Sequence, residues 1–531
     1  MTKYIIVTGG VLSGLGKGVV SASIGRLFSS KYKIISIKCD GYLNVDPGTM
    51  NPTIHGEVFV LDDGGEVDLD FGHYERFMNI DCKSDWSITS GKVFLSIMEK
   101  ERRGEYLGGD VQVVPHVTGE IRERIEGLAK EAGADIALIE IGGTVGDMEN
   151  LWFMEAAREL VNDVGRDNVL FVHLGLLPVI DSQGQQKTKP LQQSVNLLRE
   201  RGLFPDVIIG RTKERLTESS RRKLGLRCNV GEDAVISDPD CDCVYELPLI
   251  FEEEGLDEII RKKLGITKQK GTMDHWRDLI KNMKNPSKTI TIGICGKYTD
   301  LADSYISILE ALSHAGAYQD VHVDVKWFET TAIESKEDAA KLLEDIDGMI
   351  VPGGFGSRGI EGKIKAIRYA REEGIPFLGI CYGLQLAVIE HARNIMGIKD
   401  AHTTEIEKTK HPVVDFLPDQ VDITDKGGTM RLGAYPAELK KGTIMEGLYD
   451  KTDVSERHRH RYEVNPEYHE QLEQKGLVFS GKSPDGRLVE FIERDDHPFF
   501  VATQGHPELK SRFDRPAPMF MGLVDAAKKR A

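Results

Sequence analysis

At 531 residues the chain exceeds what one hydrophobic core organises, and at roughly 100–200 residues per domain it is expected to form two large units or three smaller ones. Apolar residues make up 40% and charged residues 29%, which excludes a disordered, collagenous or membrane composition. With 68 basic against 85 acidic side chains the formal charge is −17, which disfavours a general nucleic-acid binder and means that polyanionic ligands must meet local basic pockets.

In chain order, the first strand-like run is Tyr4–Val7, followed at once by glycines rather than by the apolar core of a secretion signal. No run approaches about 18 apolar residues, so a cytoplasmic protein with no membrane partner is expected. Ile34–Lys38, Ile136–Ile141, Val169–Leu174 and Val207–Ile209 read as further buried strands alternating with helical stretches, the pattern of a parallel sheet covered by helices. Seven scattered cysteines argue against a disulfide framework, and Cys241 with Cys243 lacks a second pair at zinc spacing and reads as packing. A polar, lysine-rich stretch broken by Asn285-Pro286 precedes a new β-run at Thr289–Cys295. The division expected is therefore 1–266, a linker 267–288, and a second α/β domain 289–531. In that second domain Val321–Phe328 alternates like a half-exposed strand, while Gly348–Val351 and Ile375–Ile380 read as buried ones. There is no internal repeat and no low-complexity tract, so function must come from sites.

After Tyr4–Val7 come Thr8-Gly9-Gly10-Val11-Leu12-Ser13-Gly14-Leu15-Gly16-Lys17-Gly18 and then helical periodicity from Val19 to Phe28. Strand, glycine loop and helix in that order let backbone N–H groups and Lys17 converge on a polyphosphate, so an ATP site is expected. Five residues separate Gly10 from Gly16, and Gly18 stands where the usual pattern puts a hydroxyl for the metal. Another oxygen must hold that metal, and Asp70 and Glu140, near strand ends, are the candidates.

Further on, Ile375–Ile380 delivers Cys381 into a turn before a helix, with Gly379 and Gly383 flanking it: a cysteine version of the nucleophile elbow. Gln504-Gly505-His506-Pro507-Glu508 supplies a base and an orienting acid. The backbone N–H groups of Tyr382 and Gly354, the latter in the turn Val351–Gly356, are candidates for stabilising an oxyanion. An isolated cysteine is usually core, but these pieces together describe an acyl-transfer site with Cys381, His506 and Glu508 as its catalytic residues.

The G-x-C-x-G elbow at Gly379–Gly383 and the His506–Glu508 triplet resemble class I glutamine amidotransferase domains, which hydrolyse glutamine through a cysteinyl thioester and hand ammonia to a partner site. Cobyric and cobyrinic acid synthases also join such a domain to a phosphate loop, so longer segments decide between them. Val7–Gly18, Asn44–Met50, His55–Val60, Gly72–Phe77, Ile141–Asp147, Lys187–Pro190, Gly428–Gly433 and Arg457–Asn465 resemble the CTP synthase family. That resemblance implies an α/β fold of two doubly wound domains. The first would be a phosphate-loop, dethiobiotin synthetase-like Rossmann-type sheet and the second a flavodoxin-like amidotransferase. It implies amination of UTP to CTP with ATP as co-substrate, the last step of de novo CTP synthesis.

Carried over by motif, Ser13, Gly14, Leu15, Gly16, Lys17, Gly18, Asp70, Arg211, Pro239, Asp240 and Cys241 would hold ATP, and Asp70 and Glu140 would bind Mg2+. Ser13, Asp147, Met148, Glu149, Lys187, Thr188, Lys189, Pro190, Leu191, Gln192 and Lys223 would hold UTP or inhibitory CTP. L-glutamine would meet Gly354, Tyr382, Gly383, Leu384, Gln385, Glu405 and Arg461. Arg358, Gly359 and Glu361 would belong to the lid through which GTP activates, and His55 would border an ammonia tunnel. The family works as a homotetramer, a dimer of dimers, and some members form filaments. Tyr382 stands where many members carry leucine, Gly505 replaces an aromatic, and Gly41 and Cys39 vary the Lys38–Tyr42 stretch.

The chemistry implied is phosphorylation of uracil O4 by ATP and displacement of that phosphate by ammonia, with Lys17 and Lys38 stabilising phosphoryl charge. Two rivals remain: an amidotransferase that acts on a carboxylate and ignores UTP, and a regulatory or filament-forming protein with a residual hydrolase domain.

Overall fold

The computed structural model describes residues 2–48, 50, 56–180, 184–267, 271–296, 302–333, 336–354, 356–416 and 430–531; His55, Phe355 and the Gly428-Thr429 pair lie outside them. The chain divides into two compact units, one of residues 1–47 and 70–277, the other of 48–69 and 278–531. Thus 48–69, inside the stretch expected to be wholly N-terminal domain, packs with the C-terminal half, and the second break falls within the expected linker.

Strands in the N-terminal half are β1 (Lys3–Gly10), β2 (Ile34–Asp40), β3 (Phe59–Val60), β4 (Glu66–Val67), β5 (Ser87–Thr89), β6 (Ile136–Ile141), β7 (Val169–Leu176), β8 (Val207–Thr212) and β9 (Val235–Pro239). All but β3 and β4 form one sheet in the order β5-β2-β6-β1-β7-β8-β9, and every pairing in it is parallel. The near-continuous apolar runs of β1, β2 and β6 follow from this, because a parallel sheet is covered by helices on both faces; Ile5, Ile6, Ile37 and Val172 are fully buried. The carboxyl ends of the central strands form one rim, where the strand-to-helix loops gather.

The helix Asp274–Lys284 occupies the expected linker. Its Trp276, Leu279 and Ile280 positions, and Met273 just before it, are buried at helical spacing. The Trp276 indole donates to the Tyr245 carbonyl at 2.7 Å and lies beneath the Arg26 guanidinium at 4.3 Å.

The second unit has β10 (Lys288–Gly296), β11 (Val321–Glu329), β12 (Gly348–Val351), β13 (Phe377–Ile380), β14 (Ala401–Thr403), β15 (His411–Phe416), β16 (Arg431–Leu439), β17 (Asp453–His460), β18 (Tyr462–Val464), β19 (Val478–Lys482), β20 (Val489–Glu493) and β21 (Phe500–Thr503). Its main sheet runs β11-β10-β12-β13-β21-β20-β19-β16-β17. The first five are parallel in the flavodoxin-like order, and the rest are added antiparallel. Helices Ile360–Glu373 and Tyr382–Asn394 belong to one apolar core of this unit and helices Ile306–Gln319 and Pro518–Arg530 to the other. The expected strand Ile375–Ile380 begins only at Phe377; Pro376 has no N–H for the ladder, though its carbonyl accepts from Met349 at 2.7 Å.

Candidate active sites

In the first unit the loop after β1 turns through three left-handed residues, Val11 (φ 77°), Gly14 (φ 72°) and Gly16 (φ 90°), before the helix Lys17–Ser29. Ser13 and Gly14 are exposed and Lys17 is buried. A Cβ on Gly10 would lie 1.5 Å from Ser194 Oγ, and one on Gly18 2.0 Å from Asp70 Oδ1, so both glycines are set by close approach. Beneath the loop His173 Nδ1 bonds Thr8 Oγ1 at 2.8 Å and Nε2 bonds Ser194 Oγ at 2.7 Å. Burial, with Lys17 nearby, pushes this imidazole down to about 3, so it is a neutral strut.

Lys17 Nζ donates to the Gly143 carbonyl at 2.7 Å. Lys38, on β2, sits among three carboxylates: it pairs with Asp70, with Glu140 Oε1 at 3.2 Å and with Asp40 Oδ1 at 3.8 Å. Tyr74 donates to Glu140 Oε2 at 2.6 Å. Burial outweighs Lys38 and pushes the carboxyls of Glu140 and Asp40 up. For Asp70 burial acts the same way, but Lys38, His73 and Lys17 prevail and hold it below the usual range. Asp40 escaped the sequence reading because a carboxylate closing a strand has no motif of its own; its Oδ2 is buried without a hydrogen-bond partner. Hard oxygens in this arrangement fit a divalent cation that keeps phosphate and water as its remaining ligands. Among the described residues no group of three or more His, Cys, Asp or Glu side chains is arranged to hold a metal ion on its own, so phosphate and water would have to complete any such site.

Arg211, at the end of β8, donates to the Pro239 carbonyl at 2.7 Å and pairs with Asp240 at 2.8 Å, and Cys241 lies 3.3 Å from the same carbonyl. Asp147 turns its carboxylate back on Thr144, accepting from its N–H at 2.6 Å and its hydroxyl at 2.8 Å, while Met148 and Glu149 are exposed. Thr188, Gln192 and Leu191 are buried at the start of helix Lys189–Glu200, Pro190 occupies its first turn, and Lys189 is exposed. Lys223 is exposed on helix Glu218–Cys228; Thr217, which caps that helix, bonds Gln186 beside Lys187 at 3.1 Å. Gly41 admits no Cβ, which would lie 2.8 Å from the Glu149 carbonyl.

In the second unit Cys381 follows β13 with φ 50° and ψ −98°, and caps the helix Tyr382–Asn394. Such a strained residue needs its neighbours stripped of side chains: a Cβ on Gly383 would lie 2.1 Å from the Val351 carbonyl, and one on Gly379 2.8 Å from Ala502 Cβ. His506 Nδ1 and Glu508 Oε1 are 2.7 Å apart. His506 Nε2 is buried with no oxygen or nitrogen partner. Burial disfavours the imidazolium, yet the Glu508 carboxylate and the Cys381 sulfur overcome it and hold the His506 pKa well above the usual range. Main-chain bonds fix the same groups: Cys381 N–H donates to Thr503 O and His506 N–H to Arg457 O, each at 2.7 Å. Gln504, which motif reasoning passed over, lies 3.6 Å from Cys381 Sγ, and its side-chain oxygen accepts from Gln385 at 3.3 Å.

Around this centre Glu405 accepts from the Gly356 N–H at 3.1 Å. Burial raises the phenols of Tyr382 and Tyr462, the Glu405 charge adds to it at both, and Arg461 opposes it at Tyr462. The Tyr382 hydroxyl reaches the Gly356 carbonyl at 3.4 Å, a contact leucine could not make. Gly505 is similarly explained, since a Cβ there would lie 2.9 Å from Glu456 Cβ and 3.2 Å from Arg457 O. Arg358 is largely exposed, 3.6 Å from Glu329, and Glu361 pairs with Arg393 at 2.9 Å. Gly359 (φ 75°) abuts Thr330.

Residues 3–266 match the family model described as CTP synthase N-terminus, and residues 300–526 match glutamine amidotransferase class-I. The "CTP synthase" of Carboxydothermus hydrogenoformans is 52% identical over 100% of this chain and 99% of its own length. That of Thermococcus gammatolerans is 54% identical over the same shares of the two chains. A solved structure, "Trypanosoma brucei CTPS - glutaminase domain with bound acivicin", is 38% identical over 46% of this chain and 95% of that one, with a TM-score of 0.43. Agreement at this identity over both halves means that the chain belongs to the CTP synthase family of glutamine-hydrolysing ligases.

Proposed function

We propose that the chain converts UTP to CTP by phosphorylating the uracil O4 with ATP and displacing that phosphate with ammonia released from glutamine. The observation that carries the reading is the second site: a cysteine in a strained elbow turn at the start of a helix, with the His506 imidazole fixed by the Glu508 carboxylate at 2.7 Å. Cys381 attacks the glutamine amide, His506 protonates the departing ammonia, and water then resolves the thioester with His506 taking its proton. Glu508 orients the ring, the N–H groups of Tyr382 and Gly354 receive the oxyanion, and Arg461 and Glu405 pair with the α-carboxylate and α-ammonium.

ATP binds over Ser13–Gly18 with Lys17 at its phosphates, near Arg211, Pro239, Asp240 and Cys241. Asp70 and Glu140, with Asp40 beside them, would hold Mg2+, which supplies charge neutralisation to the polyphosphate. UTP, or CTP as inhibitor, meets Asp147–Glu149, Lys187–Gln192 and Lys223. Support for the base site comes from the buried Thr188–Gln192 pair, whose side chains bond each other at 3.0 Å. GTP activates through Arg358, Gly359 and Glu361, and the working state is a cytoplasmic homotetramer. No helix among the described residues is long and apolar enough to cross a membrane.

The test is to incubate the purified chain with UTP, ATP, Mg2+ and glutamine, with and without GTP, and to follow CTP, ADP and glutamate by chromatography. Equal amounts of CTP and ADP are expected, rising with GTP. Glutamate without CTP would leave the hydrolase standing and discard UTP as the acceptor.

A further inference from the structure

We propose that the hairpin β3–β4, although encoded in the N-terminal half, is a positioning element of the glutaminase centre, with Asp62 and Glu66 as its positioning residues. The inference rests on the reading that Cys381, His506 and Glu508 hydrolyse glutamine, and assigns to that site two carboxylates its motifs do not contain.

Phe59 pairs with Val67 and Val60 with Glu66, and Phe59, Val60 and Leu61 are buried. From the turn between the strands, Asp62 Oδ1 accepts from Arg457 Nε at 2.5 Å and its Oδ2 lies 3.5 Å from Lys510. Glu66 Oε1 accepts from Arg459 Nε at 2.8 Å. Residues two apart on a strand share a face, so Arg457 and Arg459 turn the same side of β17 toward the hairpin. The main chain of the turn grips the neighbouring strand as well: Ala434 N–H donates to Asp62 O at 2.9 Å, and a Cβ on Gly433 would lie 2.6 Å from Gly64 N. Ala434 pairs in register with Arg457, so hairpin and sheet meet at that residue.

The same two arginines carry backbone carbonyls that lie against the main chain of His506 and the sulfur of Cys381. Arg457 O accepts the His506 N–H at 2.7 Å, and Arg459 O lies 4.0 Å from Cys381 Sγ. The Arg457 side chain is fully buried, with its guanidinium 5.4 Å from the Phe59 ring centre. A cation in that place is tolerated where a carboxylate meets it, so loss of the Asp62 charge forces Arg457, and with it the carbonyl that holds His506, to move. Catalysis by a paired thiol and imidazole is sensitive to such shifts, because a misplacement of about 1 Å can cost on the order of a hundredfold in rate.

Asp62→Asn, Asp62→Glu and Glu66→Gln, each in the full-length chain, test this by measuring glutamine hydrolysis and CTP formation from added ammonia. Expected for Asp62→Asn and Glu66→Gln is a fall of about tenfold or more in kcat for glutamine hydrolysis, with KM within about threefold, ammonia-driven synthesis unchanged, and Asp62→Glu recovering most of the rate. Wild-type hydrolysis in both neutral variants would overturn the proposal. Equal losses with glutamine and with ammonia would do so too, since they report a general loss of fold. A wild-type chain that hydrolyses no glutamine would remove the underlying reading, and is told apart because it shows before any substitution.

Discussion

Burial alone would push the His506 imidazole down; the carboxylate of Glu508 at 2.7 Å and the Cys381 sulfur reverse the balance and raise its pKa above the usual range. A folded-state value above the ordinary one means that this group's contribution to stability is present below the usual histidine pKa and is lost as pH rises through the raised value. Glu508→Gln removes the larger source of that field. His506 should then titrate at lower pH by NMR, and glutamine-driven turnover should fall about a hundredfold or more with synthesis from ammonia unchanged. A parallel loss of both activities would make Glu508 a structural residue. At this scale the Gly379-x-Cys381-x-Gly383 and His506-x-Glu508 spacings were legible in the sequence, because a sharp strand-to-helix turn needs small flanking residues. It could not single out Asp40, Gln504 or His173, whose roles depend on burial and on partners far along the chain.

Two elements carry consequences of their own. The helix Asp274–Lys284 reads as linker by composition, since polar and charged residues dominate it, yet Trp276, Leu279 and Ile280 fall on one face. Its Trp276 ring lies 5.9 Å from Phe77 and 5.8 Å from Tyr245 between ring centres. Trp276→Ala should therefore lower stability by about 3–5 kcal/mol, read from chemical unfolding followed by circular dichroism. A change below about 1 kcal/mol would mean that the helix is dispensable packing. At the phosphate loop, Gly10→Ala drives a methyl into Ser194 and so displaces helix Lys189–Glu200 from β1. Synthesis from ammonia should fall at least about tenfold while glutamine hydrolysis without UTP stays at its wild-type rate. Period-two alternation was legible in Val321–Phe328 and reappears as the half-exposed edge strand β11. Strand ends were less legible, as Pro376 illustrates, because an end depends on which N–H groups find partners.

For the whole molecule, two chemistries linked by ammonia should come apart cleanly. Cys381→Ala is expected to abolish glutamine-driven CTP formation and to leave the ammonia-driven reaction within about twofold of wild type, measured by chromatography of nucleotides. Chelation of divalent cations should do the converse, stopping CTP formation while glutamate is still released. The sequence by itself determined the two α/β units, the phosphate loop after the first strand and the cysteine elbow after a later one, because periodicity, glycine placement and motif spacing are local properties of a chain. Only the tertiary structure decided that Lys38 gathers Asp40, Asp70 and Glu140, and that residues 48–69 pack with the second unit, where Asp62 meets Arg457. Those pairings join residues distant in sequence, and their worth comes from burial that no local pattern encodes.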